Sequence, residues 1–262
     1  FYVQGVQVAD RKSSDIHPDM AESKARVYDD LMCRHWDRWD EGEYRHIFIA
    51  DLTSGGIGKG VDIIGEGAEW DTPLAPYFDM SEIAWAPDGT RLAYTCKPLT
   101  GAKYAVSTDS DIFVYDTETG ATTNICKGLT PISGHDAAAK TELPAGHKPA
   151  MPGYDKYPVF SPDGTKIAFR SQRRAGNEAD KERLMVWNSE TGLVKELTKN
   201  FDYNATNVIW DGSEALWFLA PMEATHQLCR VDMNGNVSVL TRGDHDINAV
   251  SIANGKAVAD IC

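Results

Sequence analysis

"VFSPDGTKIAF" occupies Val159–Phe169, and a near copy, "IAWAPDGTRLAY", occupies Ile83–Tyr94. Pro162 presets φ for the first central position of a type I turn, Asp163 suits the second, and Gly164 takes the left-handed position after it. Beyond the corner, Ile167 and Phe169 point one way and Lys166, Ala168 and Arg170 the other, the period of a strand with two unlike faces. Each copy predicts a β-hairpin, and a hairpin written twice predicts a repeat architecture.

The hairpins have matching followers. "TRLAYTCK" leads to "DSDIFVYDTETG" (Asp109–Gly120) and "ATTNICK"; "TKIAFRSQ" leads to "ERLMVWNSETG" (Glu182–Gly192) and "LVKELTK". The unit is therefore four short strands. "TNVIWDGSEALWFLAPM" (Thr206–Met222), with Asp211-Gly212 as its corner, opens a degenerate copy that continues through "HQLCRVDMNG" and "VSVLTRG". Upstream, "YRHIFIADLTSGG" (Tyr44–Gly56) matches a third strand and "KGVDIIG" a fourth, without a clear inner hairpin before them. "INAVSIANGKAVAD" opens one more unit. Matched corners lie 75 residues apart (Asp88 to Asp163) and then 48 (Asp163 to Asp211), the longer interval holding an aperiodic, Gly-, Pro- and Ala-rich insertion before Lys156. Four-stranded units of about 40 to 50 residues predict an all-β β-propeller, whereas a seven-stranded sandwich does not repeat its corner chemistry. The reading is one domain over 1–262, incomplete: about four blades plus part of a fifth, with Asp88, Asp163 and Asp211 at hairpin tips of successive blades. Trp85, Phe160 and Ile209 are expected in the packing between blades. Incomplete ends predict exposed apolar faces, with Ile47, Ile49, Val250 and Ile252 in them, and either self-association through those faces or solvent-exposed faces with partly disordered termini.

A net charge of −13 and a pI near 4.9 argue against nucleic acid and anionic membranes as partners. No apolar run approaches the roughly 18 residues a membrane span needs. The chain starts at Phe1 rather than Met, as a processed or excised product would. Five cysteines without CxxC spacing make neither a disulfide framework nor a zinc motif, and read as small buried hydrophobes. No serine stands in a G-x-S-x-G context, and there is no P-loop, GxGxxG or HExxH, so the chain is expected to be non-catalytic and without cofactor. His135 and His147 in the insertion read as exposed histidines rather than a metal pair, and "RGD" at Arg242–Asp244 as a turn.

One stretch departs from the strand pattern. "DMAESKARVYDDLMCRHWDRW" (Asp19–Trp39) holds no Gly or Pro, and Tyr28, Met32, Trp36 and Trp39 recur at helical spacing. Asp19 with Glu22 suits an N-cap and its partner, so the stretch predicts an inserted helix over 19–39. Insertions in repeat arrays are where binding groups gather. Asp29 and Asp30 could hold a cationic group such as a free amino terminus, or Asp30 could simply pair with Arg34 four residues on.

"ARVYDDLMCRHWDRW", "HIFIADL" and "FSPDGTKIAFRS" together resemble the propeller of the prolyl oligopeptidase family, in its bacterial dipeptidyl-peptidase and acylaminoacyl-peptidase branch. The resemblance covers nearly the whole chain, its SPDG corner being shared with Tol-type propellers. It implies that a C-terminal α/β-hydrolase domain with a Ser-Asp-His triad belongs to the parent and is absent here. It also implies that this domain gates access, helps bind the N-terminus of a peptide substrate, and is periplasmic or secreted. Relatives grip that terminus with paired acidic residues on a propeller helix, and Tyr28, Asp29 and Asp30, with Arg34 beside them, are the counterpart it suggests. The pair here is Asp-Asp where the best-known members have Glu-Glu. The alternative is a Tol-like periplasmic propeller that binds a protein partner.

Overall fold

The computed structural model describes residues 1–126, 131–133 (backbone only), 151–253 and 256–262; His135 and His147 lie outside them. Antiparallel sheets follow one another along the chain as propeller blades. Blade one has three strands, Tyr2–Gln7, Glu43–Ile49 and Val61–Asp62. Blade two runs Ile83–Trp85, Arg91–Cys96, Asp111–Asp116 and Ala121–Asn124, with Pro131–Ser133 added at its outer edge. Blade three is Asp155–Phe160, Lys166–Ser171, Arg183–Asn188 and Val194–Glu196. Blade four is Thr206–Asp211, Ala215–Met222, Thr225–Asp232 and Val237–Val239, and the hairpin Ile247–Ala253 with Lys256–Ile261 begins a fifth unit.

The corners close as their residues dictate. Asp88 Oδ1 accepts from the Thr90 amide (2.9 Å) and hydroxyl (2.8 Å), and Asp163 Oδ1 does the same with Thr165 (3.0 and 2.8 Å). Gly89 and Gly164 sit at φ +74° and +70°, where a side chain is strained. The outer turns repeat the device: Asp116 Oδ1 takes the amides of Glu118 and Thr119, and Asn188 Oδ1 those of Glu190 and Thr191.

Strand alternation divides the core into layers between blades. Ile167 and Phe169 pack toward Ile112 and Val114 of blade two, while Ala168 between them faces Leu216 and Phe218 of blade four. Ile47 meets Leu92 and Tyr94 across the first junction, and Leu219 meets Ile247 and Val250 across the last. The cation that follows each corner ties blades at their tips: Arg91 donates to the Gly164 carbonyl (2.9 Å) and Lys166 to the Ser213 carbonyl (3.0 Å).

A second repeated tie lies at the other end of each sheet. The Leu184 amide donates to Thr198 Oγ1 (2.9 Å), the Leu228 amide to Thr241 Oγ1 (2.9 Å), and the Ile112 amide to Cys126 Sγ (3.3 Å). Cys126 thus fills a threonine position of the repeat. Thr198→Val leaves a buried amide without an acceptor and is expected to lower unfolding free energy by about 1–3 kcal/mol in urea titration; an unchanged midpoint would contradict the tie.

Three expectations are corrected. There is no helix over 19–39: the segment holds a 3-10 turn at Pro18–Met20 and a two-residue hairpin, Arg34–His35 with Arg38–Trp39. The apolar stripe is split, Tyr28 stacking on Trp39 while Met32 and Trp36 line a cleft, so no single face is left to hold a helix against the sheet. Trp36 at φ +51° makes the hairpin turn. Trp85 is 37% exposed and among the described aromatic rings meets only Phe1 (6.3 Å), because blade one has no strand inside Tyr2–Gln7 to cover it. Phe160 is buried between blades as expected, and Ile209 packs toward the fifth unit. Ile47 and Val250 are buried at junctions and Ile49 and Ile252 pack half-buried against the same clusters, so the exposed apolar residues of the end units include instead Phe1, Leu52, Ile57, Val61, Val258 and Ile261.

Candidate functional site

The links between the strands that match the second and third of a full blade, which in the three-stranded blade one are Tyr2–Gln7 and Glu43–Ile49, differ in length. They span residues 8–42 in blade one, 97–110 in blade two and 172–182 in blade three, while blade four turns on Glu223 and Ala224 alone, both at positive φ. Antiparallel order brings these links to the same end of the sheets as the connections between blades. Together they wall an open cleft of about 710 Å3.

Aromatic rings dominate its rim. Trp36 and Tyr77 meet edge to face at 6.1 Å and are 65% and 76% exposed, with Tyr104 and Tyr154 on the opposite links. Such rings offer contact area at little entropic cost. Three cations sit deeper. Lys97 Nζ donates to the carbonyls of Tyr104 and Ser107 (both 3.1 Å) and lies 3.5 Å from the Tyr104 ring centroid. Burial, helped by the neighbouring Lys156 charge, brings its pKa down to about 8. Lys156 lies 4.0 Å from the Tyr154 ring centroid and 3.7 Å from the buried Glu82 carboxylate. Arg170 covers the Tyr157 ring at 3.7 Å and pairs with Glu182 at 2.6 Å. Glu178 is different: it accepts the Tyr154 hydroxyl (3.2 Å), is exposed, and makes no ion pair with any described residue. A smaller pocket of about 420 Å3 shares Tyr157 and Arg170 and continues along the inner strands past Asn207 to His226. Tyr157 and Asn207 hold the same positive-φ bulge in successive blades.

The sequence-predicted residues stand beside this cleft without lining it. Asp30 Oδ1 accepts from the Leu31 amide (2.7 Å) and the Ala102 amide (3.1 Å), capping from outside the helix Gly101–Val106, whose own N-cap residue, Thr100, supplies no side-chain cap. A Cβ on Gly101 would fall 2.0 Å from Asp30 Oδ2, so only glycine admits this approach. The Tyr28 hydroxyl donates to the Asp40 carbonyl (2.7 Å), and Arg34 lies over Trp39. Asp29 is exposed, with no side-chain hydrogen bond or ion pair to a described residue. The Asp30–Arg34 pair of the helical reading does not form, because the helix does not. Asp30→Ala removes the cap and is expected to cost about 1 kcal/mol, read as faster amide exchange confined to 101–106; unchanged exchange there would contradict the cap. Sequence reasoning missed Lys97, Lys156, Arg170 and Glu178. The available signal was the uneven length of the links between matched second and third strands.

The blades stack with an aromatic, charge-lined cleft on their looped face. No family model matches the chain. It is 36% identical to dipeptidyl-peptidase 5 of Porphyromonas gingivalis over 251 residues, 95% of this chain and 33% of the relative. The chain therefore spans about a third of the length of that curated relative. Among solved structures, Pyrococcus horikoshii acylaminoacyl peptidase superposes with TM-score 0.55 at 12% identity, over 96% of this chain and 31% of that one. An oligogalacturonate lyase, solved with manganese, superposes with TM-score 0.52 at 14% identity, over 81% and 53%. Likeness to both a peptidase and a lyase shows fold alone; the sequence relative carries the assignment. The chain belongs to the prolyl oligopeptidase family, over part of its propeller.

Proposed function

We propose that this chain is the gating and substrate-binding portion of a serine dipeptidyl-peptidase or acylaminoacyl-peptidase, with the hydrolase chemistry supplied by the rest of the parent. The observation that carries this reading is the exposed Glu178 carboxylate, which accepts the Tyr154 hydroxyl and makes no direct ion pair with a described residue, in a cleft ringed by Trp36, Tyr77 and Tyr104. A carboxylate awaiting an ammonium group must not be locked in a formed ion pair, because breaking it would offset the gain; Lys97 and Lys156 feel the Glu178 charge across the cleft, yet neither makes a direct ion pair with it. Asp29, exposed and unpaired among described residues, is the second carboxylate in this proposal. Asp30, Tyr28 and Arg34 position the segment, Asp30 through the helix that carries Tyr104. A periplasmic or secreted location and a hydrolase domain over the looped face belong to the same reading. The exposed Val258 and Ile261 of the fifth unit would then be covered by further blades or by a second copy.

The test is Glu178→Gln in a chain extended to the relatives' full length. Loss of a charged hydrogen bond is expected to reduce kcat/KM for peptides with free amino termini by about 10- to 150-fold, with blocked peptides affected little. Equal losses on both, or none, would remove the amine-binding role and favour a protein-binding propeller.

A further inference from the structure

Three backbone positions meet wherever one full blade passes to the next: the residue before the tied amide, the tying residue itself, and the residue starting the next unit. Between blades three and four these are Arg183, Thr198 and Ala205. At the last junction they are Gln227, Thr241 and Ile247. Between blades two and three they are Asp111, Cys126 and Asp155, all buried, with ligand-type atoms within 4.8 Å of one another. The repeat does not require this set, since alanine or isoleucine serves where Asp155 stands.

Asp155 supplies an independent sign. It is fully buried, and neither carboxylate oxygen has a hydrogen-bond partner among the described residues, although the Ser171 side chain and the Cys126 thiol approach it. Left so, a buried carboxyl group costs free energy that a bound cation would return.

We propose that Asp111, Cys126 and Asp155 form a binding site for one divalent transition-metal ion of the zinc type, pinning blade three to blade two. A thiolate with two carboxylates suits zinc or cobalt; magnesium and calcium take oxygen ligands. Three protein ligands leave a fourth position for water. Binding transfers the Cys126 thiol proton, and any proton on Asp155, to solvent, so uptake strengthens as pH rises. The ligands lie 15 and 29 residues apart, a spacing matching no zinc motif, which is why the sequence gives no hint of them.

The test uses the chain purified without chelators and titrated with Co2+ or Zn2+ alone. One Co2+ per chain is expected, with a thiolate-to-cobalt charge-transfer band, and Zn2+ should raise the thermal midpoint. Cys126→Thr keeps the amide tie that Thr198 and Thr241 make, so it should fold yet lose both the band and the shift. Asp155→Ala, which follows the precedent of Ala205 at the next junction, should weaken uptake and lose the shift. No band in the unsubstituted chain would overturn the site, as would a band surviving in Cys126→Thr or an undiminished shift in Asp155→Ala.

Discussion

Replacing Phe169 with alanine is expected to lower the unfolding free energy by about 3–5 kcal/mol, among the largest single losses available in this chain. The ring is fully buried on the second strand of blade three and packs into the layer shared with blade two, among Ile112, Val114, Phe160 and Met185. Truncation removes the ring's transfer free energy and leaves a cavity between two sheets already tied at their tips by Arg91, so neither sheet can slide in to fill it. The expected signature is a lower denaturant midpoint at unchanged slope, because unfolding still exposes nearly the same surface. A loss under about 1 kcal/mol would mean that the layer collapses around the gap, and that the blades are not the rigid units the ties imply.

The second large effect is expected at His46, fully buried in blade one. Its Nδ1 lies 2.7 Å from Asp62 Oδ2 and its Nε2 2.9 Å from the Ala68 carbonyl, so both nitrogens face acceptors and the imidazolium satisfies both. Burial alone lowers the His46 pKa, but the Asp62 hydrogen bond and charge, with the Ala68 carbonyl, outweigh it and leave the pKa raised. For Asp62, burial raises the pKa, and the His46 bond with the Gly65 and Ile64 amides turns it to a net lowering. The signs set a window. The raised His46 contributes stability fully below its unfolded pKa, near 6.5, and loses it as pH rises through the folded value. The lowered Asp62 contributes above its unfolded pKa, near 4, and loses it as pH falls. Blade one is therefore expected to be firmest between about pH 4 and 6.5. His46→Ala should cost roughly 2–3 kcal/mol at pH 5.5, less than for a fully buried pair because Asp62 keeps some solvent, and the gap to the unsubstituted chain should narrow toward pH 9. A gap that is constant from pH 5 to 9 would mean that the ring is neutral throughout.

Much of this architecture is legible in the sequence because its determinants are local. Pro-Asp-Gly followed by Thr closes a corner within five residues, and Asp116 or Asn188 closes an outer turn within four, so the same letters recur wherever the same turn does. Alternation along Lys166–Ser171 reports two buried faces, and two buried faces require a neighbour on each side, which is the propeller. Locality fails in the 19–39 segment. Its helical spacing is real, but the residues that decide its path are distant: Glu41 for Arg26, Trp39 for Tyr28, and the Ala102 amide for Asp30. Intrinsic helical preference amounts to tenths of a kcal/mol per residue, and such contacts outweigh it.

The cleft is divided in the same way. The blade unit, the repeated corners, and the links long enough to carry a site can all be read from neighbouring letters. That Trp36, Lys97, Tyr154, Arg170 and Glu178 share one cleft cannot, since they come from three blades and meet only once the blades stack. Stacking also sets Asp30 over a helix 72 residues away and brings Cys126 to Asp155 across a junction. The physical reason is range. Turn chemistry and strand period act over a few residues and are written in adjacent letters, whereas a cleft is written by blade stacking, which juxtaposes residues without regard to their distance along the chain.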